Sequence, residues 1–193
     1  MILPIVAYGD PVLRKEGVEI DKDYPKLDEL IKNMYDTMYN ASGVGLAAPQ
    51  IGRAIRLFVV DASPFAEEDE EDYEKLKDYK KVFINAQIVE TSGEEWGFNE
   101  GCLTIPDVHE DVFRPETIVI EYYDENWEFH RDEISGIASR VIQHEYDHIE
   151  GVLFTDKLSG LKKRLLKGKL TNISKGKISV NYNMRYPLKK GRQ

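Results

Sequence analysis

The apolar and polar positions of this 193-residue chain fall into helical and strand-like patterns that predict its elements. After Pro25, the residues Leu27, Leu30, Ile31, Met34, Tyr35 and Met38 recur at helical spacing. They predict an N-terminal helix that ends near 40–42 and packs one stripe on the core, its Met and Tyr side chains serving as filler. A second stripe, Ile137, Val141, His144 and His148, steps by four, three and four residues. Residues 132–135 offer caps before this helix, and Gly151 offers its stop. Between the helices the pattern changes. Residues 55–61 (IRLFVVD) form the short apolar run of a buried strand, 81–90 and 117–124 read as further strands, and Glu125-Asn126 turns the chain into 127–130. Residues 158–170 predict a short basic helix, and 177–184 alternate like a terminal strand. The fold class expected is therefore α+β: antiparallel β-sheets surrounding a central helix at 137–148, plus the N-terminal helix. No repeat or linker divides the chain, so residues 1–193 are expected to form a single domain.

Composition adds the setting. A content of 41% hydrophobic and 32% charged residues fits a soluble globular protein. No apolar run reaches 18 residues, and the opening 1–6 segment lacks a basic flank before Asp10. The expectation is a cytoplasmic protein with no membrane partner. The single cysteine, Cys102, excludes an internal disulfide. The net charge of −9 conceals an asymmetry: 157–193 holds 12 Lys or Arg and no acid, leaving 14 basic against 35 acidic residues elsewhere. Residues 63–80 form an acidic insertion, read as a solvated loop leading into a short helix. The basic C-terminal extension 157–193 suits either a solvated surface or a polyanionic partner such as the ribosome; no DNA partner is expected.

The chemistry concentrates at 143–148, an H-E-x-x-H motif. His144 and His148 share one helix face, while Glu145 stands roughly 100° and 60° around the helix from them, so it can flank a metal without ligating it. Two core or surface histidines beside a solvated glutamate would give the same letters. A catalytic site of this kind needs a third protein ligand. The longer peptidase signature, H-E-x-x-H-x-x-G-x-x-H, matches through Gly151 and then meets Phe154 in place of its last histidine. Glu150 points roughly 200° away from His148 and reads as a solvent-facing charge. His109 and His130 are alternatives, each in a polar context with no partner at ligand spacing. Cys102 is stronger, because Gly97 and Gly101 let the backbone bend to present a thiolate. Upstream, the glycine-punctuated run 43–52 lets a backbone approach something closely, but it is neither G-x-G-x-x-G nor a Walker loop.

Taken together, 43–50 (GVGLAAPQ), 100–104 (EGCLT) and 143–148 (QHEYDH) resemble the three ordered motifs of the peptide deformylases, with the resemblance running to about Leu158. The resemblance implies removal of the formyl group, as formate, from the N-terminal formyl-methionine of nascent peptides. It implies Fe2+ held by Cys102, His144 and His148, replaceable by Zn2+, Ni2+ or Co2+. It assigns Glu145 as the acid-base residue, with the Gln50 side chain and the Leu103 N–H as oxyanion donors. It also makes Gly43, Val44 and Gly45 a substrate-binding edge, with Gly101 and Val141 lining a methionine pocket beside Arg140. Thr104 replaces a frequent serine, and His109 stands where many relatives carry arginine. The competing readings are an H-E-x-x-H metallopeptidase and an inactive, ribosome-associated metal-binding homologue.

Overall fold

The computed structural model describes residues 1–68 and 72–187. Strand β1 (Ile5–Val6) leads into helix α1 (Leu27–Asn40), which buries every position of the predicted stripe. Asp28 and Glu29 in its first turn complement the helix dipole, since Lys26 supplies no side-chain cap. The short strands β2 (Gly45–Ala47) and β3 (Leu57–Asp61) follow. All five residues of β3 are buried because both of its faces are covered. Leu57 and Val59 pack with α1, whereas Phe58 and Val60 join the opposite cluster. Period-two alternation thus reaches two cores at once, each fully buried apolar side chain contributing about 1.5–3 kcal/mol.

The acidic stretch holds a 3-10 turn at Ser63–Phe65 and a four-residue helix, α2 (Tyr73–Leu76). The middle of the insertion, 69–71, lies outside the described residues. Two long strands come next, β4 (Lys80–Cys102) and β5 (Ile105–Tyr123). The pattern predicts a strand ending at Glu90, yet β4 runs on through the polar residues 91–101. Backbone pairing with β5 carries it there, and four register shifts bend the ladder. Strand β6 (Phe129–Ser135) completes an antiparallel sheet of order β2-β3-β4-β5-β6.

Helix α3 (Gly136–Ile149) carries the H-E-x-x-H motif and packs Ala138, Val141, Ile142 and Ile149 with Phe58, Phe83, Ile118 and Ile120. The predicted side-chain cap is not made. Ser135 shares a hydrogen bond with Thr117 across the sheet (Oγ to Oγ1, 2.8 Å), and Asp132 accepts from Lys81 and Tyr122. Gly151 does end the helix, in a left-handed conformation (φ 72°) that any side chain would strain. Helix α4 (Gly160–Ser174) starts at Ser159, whose hydroxyl accepts from Lys162 N, and seats Leu170 and Ile173 in a third cluster.

Of the predicted terminal strand only its last residue pairs, in β7 (Met184–Arg185), which lies parallel to β1 in a separate two-stranded sheet. The free edge it meets is two residues long, so among the described residues 177–182 run without a ladder partner. Among the described residues, no helix is long and apolar enough to cross a membrane.

Candidate active site

Three elements converge at one end of the long hairpin: the close of β4, helix α3, and β2 with the 3-10 turn Ala48–Ile51. Cys102, at the last position of β4, points its Sγ to within 3.3 Å of His148 Nε2. Ligand atoms of Cys102, His144 and His148 all lie within 4.8 Å of one another. A tetrahedral ion with metal–sulfur and metal–nitrogen bonds of about 2.3 and 2.1 Å spaces its ligands by roughly 3.3–3.8 Å, so this donor set fits a divalent metal. His148 is buried, and its Nδ1 has no hydrogen-bond partner among the described residues. Burial, with the positive charge of Arg114 nearby, holds it well below the usual histidine value, leaving a neutral imidazole with a lone pair to offer.

His144 is oriented by a carboxylate. Its Nδ1 lies 2.9 Å from Glu100 Oε2, which directs the other ring nitrogen toward Cys102. Glu100 is itself clamped, accepting from Arg114 Nε and Nη2 at 2.7 and 2.9 Å and from Arg140 Nη1 at 3.1 Å. Burial opposes the charge on Glu100, but the hydrogen bonds from Arg114 and His144 outweigh it and hold the carboxyl well below its ordinary range. Arg114 also reaches Asp147 at 2.7 Å, so one guanidinium ties β4 to the helix that carries both histidines. Arg140 bonds Val112 O at 3.1 Å and lies 4.4 Å over the Trp96 ring, which bridges the two long strands. Such outer contacts set ring orientation and tautomer in metal sites.

Glu145 faces the cleft from α3 and is 4% exposed, with Oε2 lacking a hydrogen-bond partner among the described residues. Burial, with Glu100 and Asp147 nearby and despite His144, pushes its carboxyl up to about 7. Gly45 is what leaves it room: a Cβ there would stand 2.4 Å from Glu145 Oε1. Gln50 is held at its carbonyl end by Ala47 N (2.7 Å) and aims its amide at Cys102 Sγ and Thr104 Oγ1, each 3.5 Å away.

These groups open into a cleft of about 800 Å³, bordered by Gly43, Val44, Gly101, Leu103 and Val141. The residues singled out in the sequence are therefore brought to one place, with His148 beneath the cleft floor. His109 stands on the rim against Gly101, where an added Cβ would meet its imidazole at 2.7 Å. Two readings of the sequence need correction. Glu150 is no free surface charge, because its carboxylate caps the buried Arg56 guanidinium at 2.5 Å. His130 does have partners at ligand spacing, with Asp124 Oδ2 2.8 Å away and Glu128 beside it. Phe154, in the position of the missing histidine, stacks on His144 at 6.0 Å. Sequence reasoning passed over Arg114 and the segment 179–182, which also borders the cleft. A lone arginine in a polar strand carries no local signal, and the C-terminal residues reach the site only through the tertiary fold.

An α+β fold that gathers one cysteine and two histidines beside a buried carboxylate, at the floor of an open cleft, belongs to the metal-dependent hydrolases. Comparison with known proteins narrows the class. Residues 2–164 match the family model described as polypeptide deformylase. The peptide deformylase of Christiangramia forsetii is 67% identical over 97% of this chain and 97% of its own length, and that of Flavobacterium johnsoniae is 59% identical over the whole of both. Among solved structures, a Legionella pneumophila peptide deformylase superposes with a TM-score of 0.77 at 35% identity, covering 92% of this chain and 98% of that one. A Plasmodium falciparum peptide deformylase gives 0.76 at 37%, over 88% and 94%. The chain belongs to the peptide deformylase family, metalloenzymes that hydrolyse the formyl group from the N-terminal methionine of newly made polypeptides.

Proposed function

We propose that Cys102, His144 and His148 hold the catalytic metal, that α3 is the central metal-binding helix of the fold, and that Glu145 is the acid-base residue of deformylation. The observation that carries this reading is the convergence of the three ligand atoms within 4.8 Å beside a buried carboxylate whose Oε2 has no hydrogen-bond partner among the described residues. A divalent ion held there, Fe2+ in this reading with Zn2+, Ni2+ or Co2+ as substitutes, supplies Lewis acidity to a water and to the formyl carbonyl.

The remaining steps belong to side chains and backbone. Glu145 takes a proton as water adds to the formyl carbon and returns it to the leaving amine. The Gln50 amide and the Leu103 N–H donate to the oxygen that becomes negative, the amide being aimed there by the bond from Ala47 N to its carbonyl. Gly43, Val44 and Gly45 offer an extended edge to the substrate main chain, a mode of recognition indifferent to most side chains and suited to nascent peptides of many sequences. Gly101 and Val141 line the methionine pocket. Residues 1–193 act as a single catalytic domain in the cytoplasm, and the basic extension from 157 meets the ribosome through its Lys and Arg side chains.

Metal analysis of anaerobically prepared protein, run beside turnover of formyl-Met-Ala-Ser, tests the site. One iron per chain is expected, lost in Cys102→Ser. Undiminished metal in both Cys102→Ser and His148→Ala would overturn the ligand assignment.

A further inference from the structure

The family model ends at residue 164, yet the chain continues through α4 and returns past the mouth of the cleft. Both ends of this return are fixed. At its start, the Ser174 hydroxyl donates to Tyr8 O at 2.7 Å; at its close, Ile5 N donates to Asn183 O and Ala7 N to Arg185 O, each at 2.9 Å. Between them, Ser179, Val180, Asn181 and Tyr182 border the same cleft as Cys102 and Glu145. Tyr182 anchors the span. Its hydroxyl donates to Leu103 O at 2.7 Å, and its ring packs with Leu103 and Met184 on the cluster under α1. Burial pushes this phenol up from its ordinary value, so it stays a donor at any physiological pH.

The neighbours of Leu103 give the span its place along the cleft. The Leu103 side chain lies against Gly43, close enough that a Cβ on Gly43 would meet its Cδ1 at 2.8 Å. The order of contact is therefore Gly43, Leu103, Tyr182, and the return segment abuts the edge on which the peptide main chain is proposed to lie. Ser179 and Asn181 are exposed and carry a hydroxyl and an amide, while Val180 is half-buried. A backbone anchored at both ends loses little further entropy on binding, so contacts made here favour association.

We propose that residues 179–182 form a wall of the substrate cleft and determine specificity for the part of the peptide that follows formyl-methionine, with Tyr182 as the residue that positions the wall. This rests on the reading that the formyl end sits at Cys102, Glu145 and His148. The peptide beyond the first residue then has the Gly43–Gly45 edge on one side and the return segment on the other, and Asn181 and Ser179 supply hydrogen bonds to its main chain.

The test compares kcat/KM for formyl-Met-Ala with that for formyl-Met-Ala-Ser-Ala, using the full chain with its metal content measured. In a Ser179→Ala/Asn181→Ala variant, the tetrapeptide-to-dipeptide ratio is expected to fall roughly three- to tenfold, the worth of one or two hydrogen bonds, with the loss in KM rather than kcat. Tyr182→Phe removes a single oxygen, keeps the ring in the core, and is expected to lower the same ratio; it carries the test if the double variant fails to fold. An unchanged ratio in well-folded, metal-loaded variants would overturn the proposal. Failure of the underlying site reading looks different: Glu145→Gln would retain turnover, whatever the length ratio.

Discussion

A methyl group added at Gly45 probes the reactive carboxylate without touching a metal ligand. The new carbon would stand 2.4 Å from Glu145 Oε1 and 2.7 Å from its Cδ and Cγ. Ordinary carbon–oxygen contact is about 3.4 Å, so one partner must yield by about 1 Å. Strand β2 cannot, because it is paired with β3 through Gly45 and Val60. Glu145 can, because none of the described residues hydrogen-bonds its Oε2. The stability cost should stay near the low end of the roughly 1–3 kcal/mol typical of overpacking, since the end of a flexible side chain moves. Misplacing a reacting group by about 1 Å costs on the order of 10²-fold, equivalent to about 2.7 kcal/mol of barrier. Gly45→Ala should therefore lose about two decades of kcat on formyl-Met-Ala-Ser while keeping full metal and nearly full Tm. A kcat within threefold of the parent would refute the reasoning, as would metal loss in proportion to activity.

Other perturbations follow from the same contacts. Gln50→Glu keeps the acceptor for Ala47 N but removes the amide donor, so kcat should fall roughly 10²- to 10³-fold with a smaller change in KM; equal changes in both would point to ground-state binding instead. Arg114→Met removes the guanidinium shared by Glu100 and Asp147, leaving Glu100 with Arg140 and His144 and Asp147 with Lys157; breaking a buried pair costs about 3–5 kcal/mol when the charge is left alone, so a loss toward the low end, roughly 6–12 °C in Tm, is expected in a thermal melt. Burial works to raise the Asp132 carboxyl, but hydrogen bonds from Lys81 and Tyr122 and the charge of Lys81 outweigh it and hold it low. Because the folded value lies below the unfolded one, its contribution is complete above the ordinary aspartate value of about 3.9 and is lost as pH falls through the folded value. Asp132→Asn should accordingly show a shallower decline of Tm in acid than the parent, and parallel declines would dismiss the contribution.

What could be read from the letters was local. The α1 stripe, the helix bearing His144 and His148, and the stop at Gly151 follow from periods and turn chemistry that operate within a few residues. Cys102 stood out because glycines flank a lone thiol in a short motif that resembles a known family. The rest depends on partners distant in sequence. Residues 91–101 carry acids, glycines and one tryptophan in no alternating pattern, and only the ladder with β5 makes them strand. Glu150 looks like a surface charge until the fold sets it 2.5 Å from the buried Arg56. The need for glycine at 45 becomes visible only when α3 presses Glu145 against β2. The alternation at 177–184 promised a strand, but a ladder requires an edge, and β1 offers only Ile5 and Val6. What remained unpaired became part of the cleft.

The division of labour between three ligands and one carboxylate is tested most directly by Glu145→Gln, with bound metal and turnover of formyl-Met-Ala-Ser measured on the same preparation. General acid-base catalysis typically contributes 10²- to 10⁴-fold, and the amide preserves the shape of the side chain against Gly45. One metal ion per chain with kcat reduced by about 10³ or more is the result this account predicts. A variant that keeps turnover, or one that loses its metal together with its activity, would contradict it.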